Sequence, residues 1–125
     1  MKLYCDSSKT EGCWVREGLL PIRWTYNPPP ESHNVGEYLA VEAALEAMRL
    51  EANWNLEVYT DSQLVWGQVT QDWKVKVAHL RPHVDKVKGL LEITKSTLHW
   101  VPREENLAGI ELDRRRYIHE SIRQG

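Results

Sequence analysis

Alternation of apolar and polar side chains picks out the strands of this chain. Leu56-Glu57-Val58-Tyr59-Thr60 keeps a period of two and runs directly into Asp61-Ser62, so it reads as a half-buried strand with an acid at its C-terminal end. Leu3-Tyr4-Cys5-Asp6-Ser7-Ser8 repeats that arrangement near the start. The N-terminal part reads as three strands, Lys2–Asp6, Gly12–Glu17 and Leu20–Asn27, with Gly18 in the turn between the second and third. Pro28-Pro29-Pro30 stops any strand. From Val35 to about Glu51 the chain is rich in Ala, Leu, Glu and Met, strong helix formers, with Leu39, Ala43, Ala47 and Leu50 on one face.

Ser62 stands where an N-cap belongs, ahead of a short helix over Gln63–Val69. Trp73-Lys74-Val75-Lys76 is a connection, and His79–Leu91 a helix with Leu80, Val84, Val87 and Leu91 inward. Thr97–Val101 is a fifth strand; after the loop Pro102–Asn106 a final helix runs to about Ile122. The order β-β-β-α-β-α-α-β-α predicts an α/β fold: a five-stranded mixed sheet, three antiparallel N-terminal strands plus two parallel ones, flanked by helices.

No repeat or linker divides the 125 residues, which points to one domain spanning 1–125. The net charge of -2 gives no bulk attraction to a polyanion, so a nucleic-acid binder of this composition needs local basic patches or bound cations. Two cysteines are too few for a disulfide framework or a structural zinc site; Cys5 reads as a buried hydrophobe rather than half of a cross-strand bridge to Cys13. Without a signal-like segment or an apolar stretch near the roughly 20 residues of a membrane span, a soluble, cytoplasmic, monomeric protein with no membrane partner is the expectation.

A carboxylate at the C-terminal end of a strand, beside a helix start, sits where α/β sheets place their chemistry. Asp6 and Asp61 both do, and Glu37, in the first turn of the first long helix after Asn34-Val35-Gly36, can point back toward them. Each alone reads equally well as a cap or a surface charge. Three acids from separate elements make a hard oxygen site suited to magnesium or manganese, not zinc, and phosphoryl chemistry by metal-activated water is its natural use. His79 and His83 have i,i+4 spacing but no third ligand, and read as a surface pair. Lys74, Lys76, Arg81, Lys86 and Lys88 with Trp73 form the best candidate nucleic-acid patch; Arg114-Arg115-Arg116 reads as a solvated face.

With these blocks in hand the chain resembles the ribonuclease H family, type 1. The resemblance rests on Asp6-Ser7-Ser8, His33-Asn34-Val35-Gly36-Glu37-Tyr38-Leu39-Ala40 and Tyr59-Thr60-Asp61-Ser62-Gln63-Leu64-Val65. It continues through Trp73-Lys74-Val75-Lys76, Leu80-Arg81-Pro82 and Trp100-Val101-Pro102-Arg103-Glu104-Glu105-Asn106, in family order and over nearly the whole chain.

The resemblance implies endonucleolytic cleavage of the RNA strand of RNA–DNA hybrids, leaving 5′-phosphate and 3′-hydroxyl ends. Asp6, Glu37 and Asp61 would hold two Mg2+ or Mn2+ ions about 4 Å apart. The family's usual fourth acid, four residues after Asn106, is here Ile110, which cannot ligate a metal; Asp113 is the preferred substitute, with Glu111 as the alternative. Asn34 and Gln63 match positions that read 2′-hydroxyls, a task suited to amides. Ser8, Trp73, Lys74, Lys76 and Arg103 complete the expected substrate contacts, Arg103 in place of a histidine common in the loop before the last helix. Two rivals stand beside the hydrolase: a module of the same fold that binds nucleic acid without turnover, and a related nuclease acting on another duplex.

Overall fold

The computed structural model describes residues 1–114. Its strands are β1 (Lys2–Ser7), β2 (Glu11–Arg16), β3 (Ile22–Thr25), β4 (Glu57–Thr60) and β5 (Thr97–Trp100). Its helices are α1 (His33–Leu50), α2 (Gln63–Thr70) and α3 (Arg81–Ile93), and a further helix, α4, begins at 107. The expected end of that last helix near Ile122, and residues 115–116 of the arginine cluster, lie outside the described residues. No helix among the described residues is long and apolar enough to cross a membrane.

The sheet order is β3-β2-β1-β4-β5. β1–β2 and β2–β3 are antiparallel while β1–β4 and β4–β5 are parallel, the mixed topology that the alternation predicts. Gly18 takes a positive φ of 84° in the β2–β3 turn, a conformation that glycine adopts without steric penalty. β3 is shorter than the predicted Leu20–Asn27, bounded by Pro21, which has no N–H for the ladder, and by the proline run after Asn27.

Alternation assigns the two faces of the sheet. Leu3, Cys5, Val58 and Leu98 face α1, α2 and α3, and with Tyr38, Val41, Leu45, Met48, Val65, Val84 and Val87 they form the main core. On the opposite face Tyr4, Cys13 and Val15 pack against Ala108 and Leu112 of α4. Both cysteines are buried free thiols.

Two helices differ from the sequence reading. The deeply buried stripe of α1 is Tyr38, Val41, Leu45 and Met48, whereas Leu39, Ala43 and Ala47 form a half-buried flank and Leu50 is 75% exposed. α1 touches both the sheet and α3, so its buried arc is wide and the periodic set chosen from sequence lies along its edge. α3 begins at Arg81 rather than His79, with Pro82 in its first turn, where a missing N–H costs nothing. His79 therefore sits in a preceding turn, off the helix that carries His83, and the i,i+4 pair dissolves. His83 instead meets the buried carboxylate of Glu42, Nδ1 to Oε2 3.1 Å.

Gly67 of α2 is fixed by close packing: a Cβ there would lie 2.0 Å from an atom of the Trp73 ring. Gly→Ala inside a helix ordinarily favours the helix by about 1 kcal/mol. Gly67→Ala should instead lower the thermal midpoint, because the Trp73 ring must leave its seat. An unchanged or raised midpoint in a melting experiment would contradict this packing.

Candidate active site

Strand register brings the first two acids together. β1 and β4 run parallel with Cys5 opposite Thr60, so Asp6 and Asp61, the next residue on each chain segment, stand side by side at the C-terminal end of the sheet. Asp6 shares the sheet face of Tyr4, the face that α4 covers. Ser62 caps α2 by accepting from the Val65 N–H at 3.1 Å, as its position in the sequence predicts.

The third acid arrives on the first turn of α1. Ser32 caps that helix, its hydroxyl accepting from the Val35 N–H at 3.2 Å. Gly36 lets the helix seat against the end of β1, since a Cβ would lie 2.6 Å from Ser7 Oγ. Tyr26 ties the same corner together: its hydroxyl donates to the Gly36 carbonyl at 3.3 Å and lies 2.9 Å from Ser7 Oγ. Glu37 follows Gly36, and one carboxylate oxygen each from Asp6, Glu37 and Asp61 lie within 4.8 Å of one another.

The cluster is costly as it stands. Asp6 and Glu37 are almost wholly buried, and neither carboxylate has a hydrogen bond among the described residues, although His33 Nε2 stands 3.6 Å from Glu37 Oε1. Burial, then the Asp61 charge, push Asp6 up to about 6 against the pull of Arg103. Burial, then the neighbouring Asp6 and Asp61, push Glu37 up to about 9. Asp61 is also raised, chiefly by burial, with Arg103 opposing. Three converging carboxylates, two of them buried and with no hydrogen bond among the described residues, fit a hard divalent cation such as Mg2+ or Mn2+.

Two residues outside the acidic triad complete the corner. Asn106 donates through Nδ2 to the Cys5 carbonyl at 2.8 Å and to Asp61 Oδ2 at 3.2 Å. Its Oδ1 accepts from the Ala108 N–H at 3.1 Å, so one amide starts α4 and orients a carboxylate. Arg103 places Nη1 3.0 Å from Asp6 Oδ2 and 3.3 Å from Asp61 Oδ2, the first contact an ion pair without hydrogen-bond alignment. Nη2 reaches Asp113 Oδ1 at 3.0 Å and Nε reaches Oδ2 at 3.3 Å.

The fourth acid does not join the triad. Gly109 faces the carboxylates: a Cβ there would stand 3.3 Å from Oδ2 of both Asp6 and Asp61. Ile110 is turned outward and 43% exposed. Asp113 lies one turn beyond Gly109 on the same side of α4, where Arg103 bridges the gap and takes its carboxylate. Glu111 pairs with Arg23 at 3.3 Å.

The other expected contacts disperse. Ser8 Oγ accepts from the Glu11 N–H at 3.0 Å, within the β1–β2 turn. Asn34 is half-buried in the first turn of α1. Lys74 and Lys76 are exposed in the connection after α2, where Trp73 packs edge-on to Trp66; Gln63 and Trp73 line one cleft with Trp66, His99 and Trp100. The basic patch is partly neutralised, with Lys88 3.4 Å from Asp72 and Arg81 3.9 Å from Asp85. The sequence reading missed the anchoring role of Asn106, although an asparagine directly ahead of a helix is a cap signal. It also missed Tyr26, for which no local pattern exists.

Residues 25–112 match the model of a family described as reverse transcriptase-like. Among solved structures the chain is similar to ribonuclease H1 from the halophilic archaeon Halobacterium salinarum, at 26% identity and TM-score 0.72, covering 90% of this chain and 96% of that one. It also resembles the N-terminal ribonuclease H domain of a Mycobacterium tuberculosis protein, at 22% identity and TM-score 0.68, over 86% and 90% of the two chains. A third match, LC11 ribonuclease H1 in complex with an RNA/DNA hybrid, from an enzyme isolated from compost, has 21% identity and TM-score 0.69 over 85% and 88%. The two matches under 25% identity bear on the fold.

Proposed function

We propose, from the premise that this chain belongs to the ribonuclease H family, type 1, that it hydrolyses the RNA strand of RNA–DNA hybrids and leaves 5′-phosphate and 3′-hydroxyl ends. The observation that carries the reading is the convergence of Asp6, Glu37 and Asp61 within 4.8 Å, at the sheet end where such chemistry belongs. These three carboxylates would hold two Mg2+ or Mn2+ ions. When bound, such ions lower the pKa of a water and stabilise charge on the leaving oxygen.

The chain's own residues do the rest by position and charge. Asn106 fixes one oxygen of Asp61 and leaves the other for a ligand. Asn34 and Gln63, on the first turns of α1 and α2 beside the cluster, are the amides assigned to 2′-hydroxyls, which separate RNA from DNA. Arg103 carries its charge at the exposed side of the cluster, where a phosphate of the cleaved strand would pass. Lys74 and Lys76 supply the steeply salt-dependent part of hybrid affinity.

The test offers labelled hybrid, RNA duplex and DNA duplex to the protein with magnesium, with manganese and with chelator. Cutting of the RNA strand in the hybrid alone, dependent on metal, is the expected result; cutting of either other duplex at the same rate would overturn the substrate assignment. A second reading, a hybrid-binding module without turnover, is favoured by the isoleucine at 110 and by Arg103 lying against the acids. It predicts tight hybrid binding and no product with either metal.

A further inference from the structure

Beside the carboxylate cluster, at the edge of the sheet, Gln63 and Trp66 of α2, Trp73 after it, and His99 and Trp100 of β5 line a cleft of about 520 Å3. The triad does not use it. Its lining is largely aromatic: Trp66 and Trp73 meet edge to face at 6.0 Å, while Trp73 and Trp100 are 44% and 39% exposed. Trp73 and Trp100 stand partly open to solvent in the same cleft, so a flat partner can reach them.

The cleft is continuous with the proposed catalytic corner. The Trp100 indole N–H donates to the backbone carbonyl of Asp61 at 3.1 Å, and Gln63 lies two residues beyond that aspartate. Polar groups stand at the rim: the Gln63 amide can both donate and accept, and His99 Nε2 already bonds Thr97 Oγ1 at 2.7 Å. Lys74 and Lys76 follow Trp73 in the same connection and are exposed, whereas Asp72 on the other side is matched by Lys88. An occupant with a flat apolar face, a hydrogen-bonding edge and a negative backbone suits this surface. A nucleotide has all three.

We infer that the Trp66–Trp73–Trp100 cleft is a stacking site for an unpaired nucleobase, on a single-stranded tail that continues from the hybrid held over Asp6, Glu37 and Asp61. The inference takes its ligand from the hybrid-cutting reading. It adds that the protein prefers hybrids with a single-stranded extension, and that bases rather than added phosphates supply the preference. A stacked base adds roughly tenfold in affinity.

The experiment measures binding in chelator, so that nothing is cut, to a blunt hybrid and to hybrids tailed at each of the four strand ends. Every tail is made twice, once with bases and once abasic at the same length and charge. At least one base-bearing tail should bind roughly tenfold tighter than its abasic twin, and Trp66→Leu and Trp100→Leu should each bring that ratio to near one. Equal affinities for every base-bearing and abasic pair would overturn the stacking site, as would a ratio that survives both substitutions. Should a leucine variant fail to fold by circular dichroism, quenching of wild-type tryptophan emission by the base-bearing tail alone carries the same decision. Blunt-hybrid cleavage by the wild-type protein with magnesium, run in parallel, separates the two readings. Cutting without tail preference overturns only the stacking site, and tail preference without cutting overturns only the hydrolase.

Discussion

Asp61→Asn is expected to reduce metal-dependent cleavage of hybrid by roughly a thousandfold or more, since the charge stabilisation an ion supplies is worth several kcal/mol and each 1.4 kcal/mol is tenfold in rate. The substitution is nearly isosteric. An asparagine at 61 keeps an acceptor for Asn106 Nδ2, and the Trp100 bond goes to the backbone carbonyl, which does not change. The thermal midpoint should therefore hold while activity disappears. The informative contrast is Asp113→Asn. Its carboxylate is 60% exposed and bound to Arg103, outside the triad, so its loss should cost less than about tenfold, the scale of an exposed ion pair. Glu111→Gln, which weakens a pair with Arg23, belongs in the same mild class. Normal cleavage by Asp61→Asn would remove that residue from the centre. A loss from Asp113→Asn as deep as that from Asp61→Asn would restore a fourth carboxylate.

Why three acids were legible and the fourth was not follows from how each is placed. Asp6 and Asp61 end strands whose period of two is local, and parallel pairing of β1 with β4 aligns their ends once the topology is granted. Glu37 is fixed by a helix start within reach of β1, which the sequence marks by the helix formers that follow the proline run, while the Ser32 cap and the Gly36 contact emerge only in the fold. The last helix offers no comparable local signal. Which residue faces the acids depends on its rotation, set by Ala108 and Leu112 packing on Cys13 and Val15, some hundred residues away in the chain. That rotation presents Gly109 and leaves Asp113 to Arg103.

Arginine at 103 marks the same boundary. From sequence it is a loop residue counted among the substrate contacts. In the fold its guanidinium spans three carboxylates from three elements. Its pKa is raised, first by the bonds to Asp113, so the charge is permanent. The α1 face fails for a related reason: periodicity finds an apolar stripe, but contact with both the sheet and α3 widens the buried arc beyond it. The start of α3 was displaced by two residues, although Pro82 at the first turn already argued for the later start.

The protein without divalent ions should become less stable as pH rises, and Glu37 is the main reason. A carboxyl group whose pKa is raised on folding leaves the folded state with more bound protons than the unfolded chain between the two values. Its favourable contribution is present below the unfolded value, near 4.5, and is lost as pH climbs through the folded value, about 9 for Glu37 and about 6 for Asp6. Between pH 5 and pH 8 in chelator the midpoint should fall by several degrees, the effect of about 1–3 kcal/mol on a domain of this size. Glu37→Gln removes the charge that burial penalises. It should flatten this dependence and exceed the wild type in stability at pH 8, while abolishing cleavage. Magnesium or manganese should restore the wild type most at the alkaline end, where the triad is most charged, and leave Glu37→Gln almost unmoved. Melts across pH with and without metal read all four arms. A wild-type midpoint that rises from pH 5 to pH 8 in chelator would show that the triad is not held against its own charge. The stability given up at neutral pH to keep Glu37 buried is then what prepares the corner for a cation.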